Sequence, residues 1–408
     1  MYSTVTGDSF ESVSRKVYGF EKEAARIARA NPGTTEPLVE GTKLAIPVLP
    51  GAPKDKTGRA ESATPDEVAV FIAGERFRFW TEVRIGRALD NLDTVSFEAP
   101  FDSTVQGMRD TFRPFSYLDL EVTVGGTPLF KGTLVSVTPT IEPSARRVSV
   151  TGYATPGVMG DCTMPASAYP LEFNNQTLTE IATALAAPFG VTVEADTDVG
   201  TPFARVSVSV GAVVLPFLAD LAKQRGTVLR STASGALLIT KAIDVGAPVA
   251  RFRQGAAPLM NVSPRFSPQK YFSHITGVVP AGFAYDGTQF TTKNTHIEGV
   301  VRPFTYEVTD TADADAQTAV DAKLGRMFGS AVVYSVTVST WRDELGGLWA
   351  PNTLVTLLAP DVMVYNEYTF LVRSVAFSRN GDATTATLEL VPPGAFNGVL
   401  PRGLPWEA

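Results

Sequence analysis

An alternation of apolar and polar side chains is the feature that most constrains the fold of this chain. It runs through residues 68–165 and is clearest in YLDLEVTV at 117–124, where every second residue is Leu or Val. Because successive side chains of a strand point to opposite faces of a sheet, this period of two predicts strands. Gly125-Gly126 follows and supplies a turn, so the block is predicted to form an antiparallel sheet or barrel.

A second β-rich block begins near Tyr271. Four of its segments are rich in Val, Leu, Phe and Thr, and each predicts a strand: AVVYSVTVSTW, NTLVTLLAP, YTFLVRSVAFS and TATLELVPP. One helix is predicted in the block, over Thr309–Gly329, because acidic residues open the segment and Gly329 closes it.

The residues between the two blocks contain an internal repeat of helix, glycine and strand. Two segments each have five apolar residues at the same helical spacing, and each predicts a helix. The first set is Leu178, Ile181, Ala182, Leu185 and Ala186, and the second is Val214, Phe217, Leu218, Leu221 and Ala222. Gly190 and Gly226 follow, and each is predicted to end its helix before an extended segment. The alternative is a chance similarity between two ordinary helix–strand units.

Bulk composition favours folded domains and gives little support for nucleic-acid binding. The 408 residues are 44% hydrophobic and 19% charged, a composition typical of folded, well-buried domains. The net charge of −7 offers no basic surface for phosphates. Cys162 is the one cysteine, so no intramolecular disulfide can form.

Secretion and membrane insertion are not expected. The longest apolar stretch, Val210–Ala222, is interrupted by Pro216 and Asp220 and is too short to span a bilayer. The first residues lack a basic segment followed by an apolar one, so no signal peptide is predicted. The expectation is a soluble protein made in the cytoplasm.

No residue pattern predicts catalytic residues, a cofactor or a metal. His274 and His296 are the two histidines, and no phosphate-binding loop, nucleophile elbow or zinc-protease motif occurs. With one cysteine and two histidines, pairs of nucleophile and histidine are almost excluded as a class.

Two groups of acidic residues are interpreted as structural. The run Asp310, Asp313, Asp315 and Asp321 lacks the spacing and the closing Glu of a calcium loop, so roles at a helix start and on a solvated face are predicted. Asp343-Glu344 would supply only half of a glycosidase pair, since adjacent carboxylates point apart. A solvated loop is therefore favoured there.

Residues 1–50 are predicted to form a small βααβ module. Asp8 is predicted to cap the first helix, with Glu11 completing a capping box. A second helix is predicted over Glu21–Ala30, ending where Asn31-Pro32 disfavours helix, and the alternation in KLAIP predicts a closing strand.

A set of positions in this first module occurs in a characteristic order: Tyr2-x-x-Val5-x-Gly7-Asp8-Ser9, Asn31-Pro32, Leu38-x-x-Gly41 and Leu44-x-Ile46-Pro47. The order closely resembles the LysM family, whose glycan-binding members hold N-acetylglucosamine polymers between the loop after the first strand and the loop before the last. By resemblance, the groove would be formed by seven residues: Gly7, Asp8, Ser9, Phe10, Asn31, Pro32 and Leu38. Each is also explained by the fold alone, and a partner protein is the alternative occupant.

Five further segments carry a second resemblance: VRIGRALDNLDTVSFEAP, LFKGTLVSVTP, RRVSVTGYATPGVMGDCT, LTEIATALAAPFGVTV, and LWAPNTLVTLLAP with LVRSVAFS and TLELVPPGAF. Together they resemble the baseplate hub proteins of contractile-tailed phages, particularly the Mu-like type, which is related to the hub part of type VI secretion spikes. The segment 348–353, LWAPNT, is the most characteristic. Family hubs often have Gly-Arg where this chain has Gly152-Tyr153, so that position is interpreted as packing.

The hub resemblance implies a structural, non-enzymatic homotrimer in the tail baseplate of a virion. Each subunit would contribute two barrel-like tube domains to a pseudo-sixfold ring that adapts a sixfold tail tube to a threefold central spike. The implied partners are the central spike, tail tube and baseplate wedge proteins, with the tape measure protein as a further candidate. DNA would pass through the lumen without specific binding, and the LysM-like domain would dock to neighbouring baseplate proteins.

The alternative function is a cell-wall protein or hydrolase that binds peptidoglycan through its LysM-like domain. A hydrolase of this kind needs two separated catalytic carboxylates. The sequence offers no convincing pair.

The predicted fold class is α+β and β-rich, with barrel-like tube domains on either side of an α/β middle. The predicted divisions are a LysM-like domain at 1–50, a flexible linker at 51–67 rich in Gly, Pro and charged residues, a first tube-type β-barrel domain at 68–165, an α/β region with two helix–Gly–strand units at 166–270, and a second tube-type β-barrel domain with one helix at 271–408.

Overall fold

The computed structural model describes residues 2–18, 24–45, 66–143, 145–281, 284–308, 313–381, 383–396, 398, 400–401 and 403–407. Strands contain 42% of the residues and helices contain 20%, which confirms the α+β, β-rich fold class. Two compact units are present, Met1–Val83 with Ser96–Gly152 and Arg84–Val95 with Tyr153–Ala408. Most of the predicted linker, and Asp310 of the acidic run, lie outside the described residues. The predicted domain boundaries stay predictions.

The first module has the predicted order of strand, helix, helix and strand. Its elements are β1 (Tyr2–Ser3), α1 (Phe10–Tyr18), α2 (Ala24–Ala30) and β2 (Lys43–Leu44). β1 and β2 pair antiparallel, so the two ends of the module lie side by side. Its core consists of buried apolar side chains from both helices, the second loop and β2: Phe10, Val13, Ile27, Leu38 and Leu44.

The rest of the first unit is built on a sheet with one short helix. The elements of this stretch are β3 (Val68–Ile72), β4 (Glu75–Phe77), β5 (Glu82–Ala88), β6 (Thr94–Pro100), α3 (Gln106–Thr111), β7 (Asp119–Val124), β8 (Thr127–Ile141) and β9 (Arg146–Ala154). The strand order is β4–β3–β7–β8–β9–β6, and β5, β6 and β9 have residues in both units. The alternation predicted for β7 is confirmed, because Leu120, Val122 and Val124 are fully buried.

The middle of the chain, in the second unit, contains both predicted helix–glycine–strand repeats. Its elements are α4 (Val158–Asp161), β10 (Glu172–Gln176), α5 (Leu178–Ala186), β11 (Val193–Ala195), β12 (Phe203–Ser207), α6 (Val214–Gln224), β13 (Val228–Ser231) and β14 (Leu237–Thr240). Gly190 and Gly226 have φ of 67° and 64°, the left-handed conformation that follows a helix end. The strands after the two helices meet in one sheet, since β14 pairs parallel with β11 and antiparallel with β13.

The C-terminal part of the second unit contains the four predicted strands as β20 to β23. Its elements are β15 (Ala250–Arg253), β16 (Leu259–Phe266), β17 (His274–Ala281), β18 (Ala284–Lys293), β19 (Pro303–Glu307), α7 (Asp313–Ala331), β20 (Val332–Val338), β21 (Leu354–Ala359), β22 (Val364–Asn380) and β23 (Ala383–Val391). The order β16–β20–β23–β22 continues through β21 to β15. Among the described residues no strand pairing closes this sheet, or that of the first unit, into the predicted barrel.

The sequence predicts that this helix ends at Gly329, but in the structure α7 continues to Ala331. A Cβ placed on Gly329 would lie 2.5 Å from the Cβ of Ala395, and one on Gly325 would lie 2.9 Å from the carbonyl oxygen of Gly394. Both glycines are therefore required because the C-terminal segment crosses closely over the helix, not because the helix ends.

Candidate functional site

The predicted groove of the first module lies between the β1–α1 loop and the α2–β2 loop, and hydrogen bonds join these loops directly. The Thr4 hydroxyl donates to the Val39 carbonyl, and the Thr42 N–H donates to the Thr4 hydroxyl at 2.9 Å. The Glu36 carboxylate accepts from the Phe10 N–H. Sequence reasoning missed Thr4 and Glu36, since neither belongs to a local motif and each acts across more than 25 residues of sequence.

The cap of α1 lies one residue later than predicted. Ser9 and Ser12 form the reciprocal pair: the Ser12 N–H donates to the Ser9 hydroxyl at 3.1 Å, and the Ser9 N–H donates to the Ser12 hydroxyl at 2.9 Å. The predicted pair of Asp8 and Glu11 is therefore wrong, because α1 begins at Phe10. The buried Asp8 carboxylate instead accepts from the Val5 N–H at 2.9 Å and from the Ser12 hydroxyl at 3.1 Å.

Asn31 fastens the end of α2 to the end of the module. Its side-chain N–H groups donate to the carbonyl oxygens of Ile27 at 2.8 Å and Ala45 at 2.7 Å, and its Oδ1 accepts from the Ala45 N–H at 2.7 Å. An amide side chain can make all three bonds because it has both donors and an acceptor. α2 ends at Ala30, as Asn31-Pro32 predicts, and Asn31 ties this helix end to Ala45.

The seven predicted groove residues divide by exposure. Asp8, Phe10 and Leu38 are buried. Ser9 and Asn31 are half-buried, and Gly7 and Pro32 are exposed. Two apolar side chains that sequence reasoning did not single out are more accessible, Val5 at 49% and Val39 at 73%. A ligand of these loops would therefore meet Gly7, Pro32 and the two valines, together with the exposed polar residues Thr6, Glu36 and Glu40.

Residues 84–95 contain a buried ion pair, and the backbone of its acidic member is hydrogen-bonded to other parts of the second unit. The Arg87 Nε–H donates to Asp93 Oδ2 at 3.0 Å, and the Asp93 N–H donates to the hydroxyl of Ser231 in β13 at 2.8 Å. The Asp93 carbonyl accepts from the Ala154 N–H at 2.9 Å. Burial raises the pKa of the Asp93 carboxyl, and Arg87 and Arg230 partly oppose this. The pair lies in the first segment that carries the hub resemblance.

The most characteristic hub segment, LWAPNT, forms part of the core of the second unit. Trp349 is 1% exposed, its indole N–H donates to the Thr340 carbonyl at 2.8 Å, and its ring lies 5.7 Å from that of Phe252. Asn352, with φ of 67°, joins another loop by accepting from the Ile243 N–H at 3.0 Å. These residues specify the fold and do not form an open site.

Tyr153 stands where family hubs often have Arg, and it packs closely on Gly157. A Cβ on Gly157 would lie 2.2 Å from the tyrosine ring. The Tyr153 ring in this position therefore requires a residue without a side chain at 157, which agrees with the interpretation of Gly152-Tyr153 as a packing position.

The described residues contain no group of three or more His, Cys, Asp or Glu side chains that is placed to hold a metal ion. Asp343 has a local role, since its Oδ1 accepts from the N–H groups of Leu345 at 2.9 Å and Gly347 at 2.8 Å. In the part of the chain that the structure describes, no helix is both long and apolar enough to cross a bilayer.

Two family models match parts of the chain. Residues 156–241 match the second domain of the gp44-like baseplate hub proteins, and residues 311–398 match the fourth domain of the Mu phage baseplate assembly protein GpP. The first match spans α4 to β14, and the second spans α7 to β23. Both matched domains are therefore domains of phage baseplate proteins of the gp44-like and Mu type.

Longer comparisons point to particular members of that class. The chain is 22% identical to the baseplate hub protein gp44 of Escherichia phage Mu over 337 residues, which cover 79% of this chain and 87% of that protein. The crystal structure of a 43 kDa tail protein of prophage MuSo2 from Shewanella oneidensis matches with a TM-score of 0.70 at 27% identity, covering 81% of this chain and 99% of that one.

A more distant structural match shows the fold alone. The c3393 protein of E. coli, described as a type VI secretion component similar to the T4 bacteriophage tail proteins gp27 and gp5, matches with a TM-score of 0.50 at 9% identity. The match covers 79% of this chain and 76% of that one. The same fold therefore occurs in a protein described as a type VI secretion component.

Proposed function

We propose that the chain is the central hub of a contractile tail baseplate, assembled as a homotrimer that adapts the sixfold tail tube to the threefold central spike. The observation that carries the proposal is the alignment with the baseplate hub protein gp44 of phage Mu over 87% of that protein's length. The MuSo2 tail protein supports it, because its structure matches this chain over 99% of its own length.

The proposed partners follow from this position in the tail. They are the central spike, the tail tube and the baseplate wedge proteins, with the tape measure protein as a further candidate. The net charge of −7 suits a DNA conduit, since a basic lumen would hold phosphates by releasing their counterions. Specific DNA binding is not part of the proposal, and neither is catalysis.

Assembly gives the first test. The purified full-length chain is expected to form trimers by mass photometry and to co-purify with its spike protein when the two are co-expressed. A well-folded chain that remains monomeric at micromolar concentration and captures neither spike nor tube protein would contradict the proposal.

For the first module we propose docking to neighbouring baseplate proteins. The support is two exposed apolar side chains on the loops that face each other in this module, Val5 at 49% and Val39 at 73%. Exposed apolar side chains surrounded by polar ones are typical of surfaces that bind a partner protein. Glycan binding is the second candidate, favoured by the LysM-like order of motif residues.

Substitutions of the exposed valines, Val5 and Val39, distinguish docking to a protein from glycan binding. Val5→Asp with Val39→Asp is expected to abolish retention by wedge proteins while the hub still assembles, because charge replaces the two apolar side chains. Thr35→Asp, at an exposed position of the α2–β2 loop, is the control and is expected to change nothing. Co-sedimentation of the full-length chain, but not of the chain lacking residues 1–50, with purified peptidoglycan would instead support glycan binding.

A further inference from the structure

The loop between α3 and β7 displays two aromatic side chains in an uncommon backbone conformation. Phe115 is 82% exposed with φ of 60°, and Tyr117 is 57% exposed with φ of 47°. Bulky side chains rarely adopt positive φ, and such strain persists only where the surrounding structure enforces it. Two such residues, separated by Ser116, turn their rings towards solvent.

Ser116 adds a second unfavourable feature. Its hydroxyl is buried and has no hydrogen-bond partner among the described residues. A buried hydroxyl without a partner loses its hydration and gains nothing in return. Because neither strain nor desolvation benefits the isolated chain, the loop is shaped for contact with another surface. Exposed rigid aromatic side chains are the residues that most often anchor such contacts.

The second unit carries an apolar pocket of about 720 Å³. Its lining includes Phe266, Tyr271, Met363, Tyr365 and Trp406. Phe266, Met363 and Tyr365 are 41%, 50% and 49% exposed, so the pocket is accessible from solvent. The rings of Phe266 and Trp406 lie 5.4 Å apart and nearly perpendicular, which gives the pocket a fixed aromatic wall.

The aromatic loop and the apolar pocket also have side chains of opposite charge beside them. Arg113 is exposed two residues before Phe115 in the loop. Glu407 follows Trp406 at the pocket, and its side chain is 51% exposed although its Oε2 accepts from the Leu404 N–H at 2.7 Å and its Oε1 lies 3.9 Å from His296 Nδ1. This carboxylate lies close enough to Tyr271 to add to the burial that raises the pKa of that phenol. A cation therefore flanks the aromatic loop, and a carboxylate flanks the aromatic pocket.

We propose that the loop 113–117 of one copy inserts Phe115 and Tyr117 into this pocket of a second copy, with Arg113 beside Glu407. The inference rests on the proposed homotrimer and names the surfaces that would build it. Loop and pocket are different surfaces, so the contact is heterologous, and three such contacts can close a ring. The pocket volume is in the range that accepts a drug-sized ligand and leaves room for aromatic side chains.

A photo-crosslinker in place of Phe115 tests the contact without removing an interaction partner. Full-length protein carrying benzoylphenylalanine at 115 is expected to give a crosslinked dimer of this chain on irradiation. Peptide mapping should find the adduct at residues 266–271, 363–365 or 406. Mapping to another part of the chain, or crosslinking to other proteins alone, would overturn the inference.

Charge reversal gives a second test that reports on the pairing itself. Arg113→Glu and Glu407→Arg are each expected to weaken self-association at least tenfold in mass photometry, and the double variant to restore it. Leu345→Ala, at a site that is 78% exposed, is the matched control and should leave self-association unchanged. The same experiment distinguishes failure of the proposed contact from failure of the proposed hub function. If the wild-type chain is a trimer and the charge reversals do not weaken it, the contact is overturned and the hub function stands. If the wild-type chain is monomeric, both are overturned.

Discussion

Replacing Trp349 by alanine is expected to lower the free energy of unfolding of the second unit by about 3–5 kcal/mol. The ring is 1% exposed and packs against Phe252, so the truncation leaves a cavity that the surrounding strands cannot fill. It also removes the indole N–H donor to the Thr340 carbonyl. Hydrogen exchange of the amides of β15 and β21 measures the loss in the full-length chain.

Trp349→Phe is the matched control for this prediction. It keeps most of the aromatic packing and removes the hydrogen bond, so a smaller loss of about 1–2 kcal/mol is expected. Equal protection in Trp349→Ala and the wild type would show that the LWAPNT segment does not stabilise the unit through this ring.

Replacing Asp93 by alanine is expected to destabilise the second unit by about 3–5 kcal/mol, because it leaves a buried cation without its partner. The Arg87 and Asp93 side chains are 10% and 1% exposed, and Arg230 lies close enough to interact with both. Burial and the like charge of Arg87 already lower the pKa of Arg230, so loss of the carboxylate removes a favourable charge from two arginines. Thermal unfolding of the full-length chain measures the effect.

Asp90 provides a control in the same loop. It pairs with Arg373 at 3.0 Å, but the two side chains are 26% and 27% exposed. Water screens this pair, so Asp90→Ala is expected to cost about 0–1 kcal/mol. Equal effects of the two substitutions would show that burial does not set the strength of the Asp93 pair.

Local patterns predict the elements of the middle and C-terminal regions. Apolar residues at helical spacing followed by a glycine identify α5 and α6, since Gly190 and Gly226 both adopt the left-handed conformation. The four C-terminal strands are predicted because each is a run of β-branched and aromatic residues. In these cases the signal lies within about ten to fifteen residues of sequence.

Predictions fail where distant segments decide the outcome. Gly329 has the sequence signature of a helix end, yet it lies inside α7 because Ala395 crosses the helix there. Alternation leaves a sheet and a barrel open as alternatives, because it fixes the faces of strands and not the pairing of edges. The hub resemblance implies barrel-like domains, and no strand pairing among the described residues closes a barrel. The cap at Ser9 differs from the predicted Asp8 by one position, because both residues are good N-caps.

The candidate groove is predicted only in part. The loops that line it follow from the order of motif residues, but their contact through Glu36 and Phe10 depends on the folded module. The aromatic loop at Phe115 and the pocket beside Trp406 have no sequence motif. The loop is distinguished by the positive φ angles of Phe115 and Tyr117, which the sequence does not show. The pocket brings together residues from four separate segments, 266–271, 331–332, 363–365 and 406.

Cryo-electron microscopy of the assembled tail particle tests the central claim most directly. The hub account predicts three copies of this chain in a ring at the junction of the tail tube and the central spike, with density for the first module extending towards neighbouring baseplate proteins. Density for this chain elsewhere in the particle, or its absence from intact infectious tails, would contradict the account.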